Sequence, residues 1–251
     1  MKQKILITIL TILSAYLLKA TATPSQDGAE FERLERKASL FFSNAEWRNA
    51  NAMYVLMLEL KPGDRAIYPQ AIVSNILAGD TARALDMIPR AMSNLIPIDT
   101  VLTEVRQTSF SIGHADLYEQ FLLKTRETYP WYSRVINNYL LAYYDFRSNG
   151  PELMKYATMM LNGLPTDLRL MRLLARGQML SGLTDDAVNT WLRIIDLHPD
   201  NYDTLLDLAN FYAVTDNPES ALTWFRRADA IRPTPYVSAY IARHSPTPEK
   251  H

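Results

Sequence analysis

From about residue 31 onward, apolar and small residues recur at the three-and-four spacing that builds one face of a helix. The recurrence is clearest in Leu168–Pro233. Shifted by 34 residues, this stretch falls on itself: Leu174 on Leu208, Ala175 on Ala209, Ala187 on Ala221, Trp191 on Phe225 and Pro199 on Pro233. A fixed period of this size marks stacked units, none of which can cover its own apolar face alone. The pattern predicts two helices per unit. Helix A carries a Leu and a small residue near its middle. Helix B carries a small residue, a bulky one a turn later, and a proline just past its end. The small residue lets the helices approach closely and the bulky one fills the gap to the next helix. Proline, lacking an N–H, stops the run.

The same spacing extends in both directions. Leu34, Ala38 and Phe41 predict a first helix A, and Ala50, Tyr54 and Met57 a first helix B, with Asn44 as its N-cap. Residues 65–98 carry Ala84, Ile88 and Ala91 at the right offsets, but Pro89 falls inside helix B, where it is expected to kink or end it. Residues 99–133 hold Gly113 as the turn, then Tyr118 and Leu122, without the small residue. In residues 134–167, Leu140 and Tyr144 fit helix A. Gly150-Pro151 opens helix B, and the large and small positions are exchanged as Leu153 and Ala157. After Pro233 the pattern restarts once, so 236–243 reads as a lone helix capping the array.

Residues 168–201 and 202–235 resemble the tetratricopeptide repeat family. Leu208-Ala209, Tyr212, Ala221, Phe225, Ala228 and Pro233 carry the likeness almost completely. In the preceding copy Gln178 stands at the Tyr position and Ile194 at the last Ala, and the family Trp reads Met171 and Leu205. The resemblance implies an all-α, superhelical solenoid of about six helix-turn-helix units, at 31–64, 65–98, 99–133, 134–167, 168–201 and 202–235, with a C-terminal tail from 244. It further implies a scaffold or adaptor whose A helices line a groove for a peptide or partner protein, with no cofactor and no chemistry of its own.

The first residues change the setting. Lys2 and Lys4 precede the apolar run Ile5–Leu18, and Ala20-Thr21-Ala22 is a small-x-small site. Together they read as a secretory signal peptide over 1–22, with periplasm or cell envelope as the expected destination. An uncleaved anchor is the alternative, and only then does the protein touch a membrane. Cleavage removes Lys2, Lys4 and Lys19 and takes the formal net charge from −1 to −4. Residues 23–30 read as a loose polar tail. An acidic, exported protein excludes a nucleic-acid partner, and the absence of Cys excludes disulfides, thiolate metal sites and a Cys nucleophile.

Candidate binding residues follow from helix A positions that do not pack. Arg169, Arg172 and Arg176 share one face. Asn138 and Asn210 occupy corresponding places in neighbouring units. Such a row fits a carboxylate, from an acidic segment or from the carboxyl terminus of a partner. It equally fits a solvated basic face paired with the Asp and Glu of adjacent turns. Phe42, Phe110 and Phe146 sit at comparable places, as readers of apolar ligand side chains or as core. The histidines His114, His198, His244 and His251 show no metal-ligand spacing, and Asp185-Asp186 reads as a pair that caps a helix start rather than a catalytic pair. The sequence therefore reads as a non-enzymatic interaction protein. An extracytoplasmic binder that captures a peptide or glycan, and self-association through the solenoid ends, stay open.

Overall fold

The structure, a computed structural model, describes residues 26–245. Among them every regular element is helical, and the chain divides into two compact units, with the boundary between Trp131 and Tyr132. The signal-peptide reading of 1–22 lies outside the described residues.

The first unit holds three helix pairs: α1 (Gln26–Ser43) with α2 (Trp47–Leu60), α3 (Ile67–Leu77) with α4 (Thr81–Ser93), and α5 (Ile98–Ser111) with α6 (Ala115–Thr128). A 3-10 turn, Pro130–Tyr132, follows. The second unit holds α7 (Ser133–Phe146) with α8 (Gly150–Leu161), α9 (Leu168–Leu180) with α10 (Thr184–Leu197), and α11 (Tyr202–Val214) with α12 (Pro218–Ile231), closed by the single helix α13 (Pro235–His244). Odd-numbered helices are helices A and even-numbered ones helices B.

The A–B turns explain the common register. A residue with positive φ stands in each: Ala45, Gly79, Gly113, Ser148, Gly182 and Asp216. These positions are 34 residues apart, save one step of 35 between Gly113 and Ser148. The left-handed conformation reverses the backbone in the fewest residues, which glycine adopts freely and other residues at a cost. The residue after it starts helix B. Asp80, Asn149 and Asn217 do so with side chains that accept from the backbone N–H of Arg83, Glu152 and Ser220.

The core follows the predicted stripes. Ala50, Tyr54, Met57, Ala84, Ile88, Ala91, Tyr118 and Leu122 are buried in the first unit. In the second, Met171, Ala175, Ala187, Trp191, Ile194, Leu205, Leu208 and Ala228 form one cluster, and Ala209, Ala221, Phe225 and Val237 another. Leu174 is only half-buried. Leu153 and Ala157 are both buried, so the exchanged large and small positions fill one layer. Here glycine sets the approach: an added Cβ on Gly177 would meet Met154 Cγ at 2.8 Å, and one on Gly150 would meet the Gly177 carbonyl oxygen at 2.8 Å. A repeated polar tie accompanies the stack. Arg193 Nη2 donates to the carbonyl of Pro165 at 3.0 Å, and Arg227 Nη2 to that of Pro199 at 3.3 Å, the same bond one period later.

Local expectations are corrected at four places. Helix α1 begins at Gln26 with Asp27 in its first turn, so much of the expected 23–30 tail is helical. Asn44 does not cap α2; it lies in the turn, its N–H donating to the Leu40 carbonyl, and Glu46 is the capping residue, its side chain accepting from the Asn49 amide and from no backbone N–H. Asp185 and Asp186 lie in the first turn of α10, where charge favours the helix dipole, but neither caps it. Pro89 neither ends α4 nor stops its stripe, because the helix runs on to Ser93 with Ile88 and Ala91 buried.

Candidate binding groove

The three arginines lie one turn apart on α9, whose other face carries the buried Met171 and Ala175. Each reaches a neighbouring A helix. Arg169 Nη1 donates to Asn138 Oδ1 on α7 at 3.0 Å. Arg176 pairs with Asp145, also on α7. Arg172 turns the other way, with Nη1 2.9 Å from Asp203 Oδ2 and Nη2 3.9 Å from Asp207 Oδ2, both on α11. The basic row is thus interleaved with Asp145, Asp203 and Asp207, and its formal charges balance. Burial raises the Asp207 carboxyl above its ordinary value; Arg172 opposes this and Asp203 adds to it.

Beneath this rim lies a cavity of about 630 Å³, lined by Leu168, Leu173, Met179 and Trp191 together with the arginines and Asp207. Trp191 comes up from α10 and meets Phe211 at a tilt, centroids 6.0 Å apart. The site is an apolar floor under a charged, neutral-sum rim. The volume is in the range that accepts a few side chains.

The other candidate residues sit elsewhere. Asn210 on α11 accepts from the Tyr236 hydroxyl at 2.6 Å, tying α11 to α13. Phe42 meets Trp47 edge-on at 5.2 Å and Phe110 meets Tyr118 at 6.4 Å, each packing within the first unit near its own A–B turn. Phe146 is exposed at the end of α7. The structure therefore brings together Asn138, Arg169, Arg172 and Arg176, and leaves Asn210 and the three phenylalanines out of the groove's lining. The aspartates that answer the arginines were not singled out in the sequence, although Asp203 and Asp207 stand 31 and 35 residues beyond Arg172. No helix of the described residues is long and apolar enough to cross a membrane. Those residues hold no group of three or more His, Asp or Glu able to bind a metal ion.

The fold is that of tetratricopeptide-type helix pairs. The recurring stripes, the six left-handed turns and the period shared between them carry that assignment. No protein-family model matches the sequence, and no curated protein matches it. Among solved structures, a component of the APC/C hetero-tetramer Cut9–Hcn1 is 14% identical over 93% of this chain, with a TM-score of 0.45. This chain spans 45% of that one. YrrB, a TPR protein with an unusual peptide-binding site, is 16% identical; the match takes in 82% of this chain and 88% of that one, with a TM-score of 0.29. PilF of Pseudomonas aeruginosa is 12% identical, the match taking in 87% and 99% of the two, with a TM-score of 0.42.

Proposed function

We propose that the protein is an exported interaction scaffold that works in the periplasm or cell envelope and holds a partner polypeptide on the A-helix face of its second unit. The export part of the reading rests on the Lys2-to-Ala22 leader alone. The observation that carries the binding part is the cavity over Leu173, Met179 and Trp191 beneath the arginine–aspartate rim. Repeat helices stacked side by side make an extended surface suited to a polypeptide segment.

The rim sets the chemistry of the partner. Each of the three arginines already has an acceptor, so a carboxylate would have to displace Asn138, Asp145 or Asp203 to be held. Exposed pairs of this kind exchange at little cost. An apolar side chain gains more by covering Leu173, Met179 and Trp191, with flanking polar groups trading places on the rim. The partner segment is read as an apolar anchor between polar or acidic residues, and the protein as a binder without chemistry of its own.

A photo-crosslinking residue placed at Leu173 in the full-length protein, expressed in its host, tests this. Discrete adducts are expected at Leu173 and not at Lys155 on the B-helix side of the same unit. They should be lost when Arg172→Glu is added. Equal labelling at both positions, or none at Leu173, overturns the reading.

A further inference from the structure

A polar cavity of about 400 Å³ lies at the second A–B turn, within the first unit and apart from the arginine groove. Two buried amides line it. Asn51 on α2 is 7% exposed, and Asn75 near the end of α3 is 2% exposed. Asn75 Nδ2 donates to Asn51 Oδ1 at 3.0 Å, which ties the two helices together. The bond leaves over Asn51 Nδ2 and Asn75 Oδ1. Neither has a partner among the described residues, and neither is sealed from solvent. Two side chains that are more than nine-tenths buried thus keep one donor and one acceptor open at the cavity they line.

The sequence makes the space. Asn75 stands four residues before the left-handed Gly79, where three other repeats place a ring: Phe41, Tyr144 and Tyr212. The shorter amide leaves the room that a ring takes there. The walls are charged. Arg48, three residues before Asn51 on the same helix face, has no ion pair among the described residues. Arg83 is answered by Asp80, Nε to Oδ2 at 3.2 Å, so the net formal charge of the lining is that of Arg48. Ala78 and Gly79 are its only apolar members, so an apolar side chain finds no cover. A neighbouring cavity of about 390 Å³ shares Arg48 and Ala78 and adds Trp47, braced edge-on by Phe42 at 5.2 Å. Glu46, on that side, is turned to Asn49, accepting from its Nδ2 at 2.7 Å.

We propose that this cavity binds a hexuronate residue of an acidic glycan. One ring hydroxyl accepts from Asn51 Nδ2 and its neighbour donates to Asn75 Oδ1. The Arg48 guanidinium donates to the carboxylate. The next ring of the glycan lies with its C–H face on Trp47, an aromatic with one apolar side to offer. A bare anion would leave both amides unanswered, and a neutral sugar would leave Arg48 unanswered. The site does not depend on the polypeptide groove of the second unit, and its failure would leave that reading as it stands.

Nuclear magnetic resonance titration of the full-length protein, read on the side-chain amide signals of Asn51 and Asn75, tests the proposal. The ligands are methyl glucuronide, methyl glucoside and acetate. The glucuronide is expected to shift both signals and saturate at millimolar concentration. The glucoside should bind about tenfold more weakly, and acetate should move neither signal. Arg48→Gln, at an exposed position, should abolish the preference for the acid. A disaccharide of glucuronate should bind about tenfold more tightly than the methyl glycoside, a gain that Trp47→Ala removes. Failure of the glucuronide to saturate overturns the proposal. So do equal binding of glucuronide and glucoside, shifts from acetate as large as those from the glucuronide, and unchanged affinity in Arg48→Gln. The absence of any gain from the second ring overturns it as well.

Discussion

The Tyr129 hydroxyl donates to the Leu85 carbonyl at 3.2 Å, at the point in α4 where Pro89 offers no N–H four residues on. The helix survives its proline because a side chain from 44 residues away replaces the missing backbone donor. Tyr129→Phe is expected to lower stability by about 1–2 kcal/mol, the cost of a buried carbonyl left unpaired. In a Pro89→Ala background the helix recovers its own bond and Tyr129→Phe should cost little. A double-mutant cycle by urea denaturation, read on the first unit, checks this; a coupling near zero would sink it.

The left-handed turns make a graded set. Ala45 and Ser148 hold positive φ of 58° and 51° without being glycine. Ala45→Gly and Ser148→Gly should each raise stability by up to about 1 kcal/mol, the left-handed penalty less the extra backbone entropy of glycine. Gly79→Ala, Gly113→Ala and Gly182→Ala find open space for a Cβ but the same disfavoured φ, and should each cost about 1 kcal/mol. Thermal melts of the five variants would show opposite signs for the two groups.

The close approach of α8 to α9 depends on two glycines facing one another. Gly177→Ala forces Met154 aside and Gly150→Ala meets backbone as well as the Ser181 hydroxyl. Each is expected to destabilise the second unit by about 1–3 kcal/mol, despite the better helix propensity of alanine. The pair should be less than additive, since one displacement serves both. Full additivity in denaturation midpoints would show that the helices do not share that contact.

Asp207 sets a pH dependence with a definite sign. Its carboxyl is raised by burial, so the folded protein binds a proton at pH values where the unfolded one has lost it. Its contribution to stability therefore falls as pH rises from the ordinary carboxylate value to the raised one. Asp207→Asn removes the burial cost of the charge and should flatten this limb, raising the melting temperature at neutral pH. A lowered melting temperature at pH 7 with the limb intact would show that Arg172 outweighs burial.

Much of the fold was legible. The stripes around Ala187, Trp191, Ala221 and Phe225 repeat because residues three and four apart must share a face, whatever the helix then meets. The turn was read from the sequence at Gly113; Gly79 stands one period before it, but Ala45, Ser148 and Asp216 hid the shared position, because no residue type announces positive φ there. Asn51 and Asn75 stand 24 residues apart, and only the stacking of α2 and α3 shows that their amides answer one another. Arg193 and Arg227 stand one period apart, but their bonds to the carbonyls of Pro165 and Pro199 came only with the stacked helices.

Other features were not. Pro89 reads as a helix breaker until the stack brings Tyr129 to its free carbonyl. Arg169, Arg172 and Arg176 read as a bare basic face until α7 and α11 bring Asn138, Asp145 and Asp203 against them. The sequence by itself determined which residues turn inward on each helix and how often the helix pair recurs, because both follow from local backbone geometry and from the need to bury hydrocarbon. Only the tertiary structure decided which polar groups were answered and which were left over. A side chain's partner depends on how neighbouring helices stack, and no periodicity along the sequence encodes that distance.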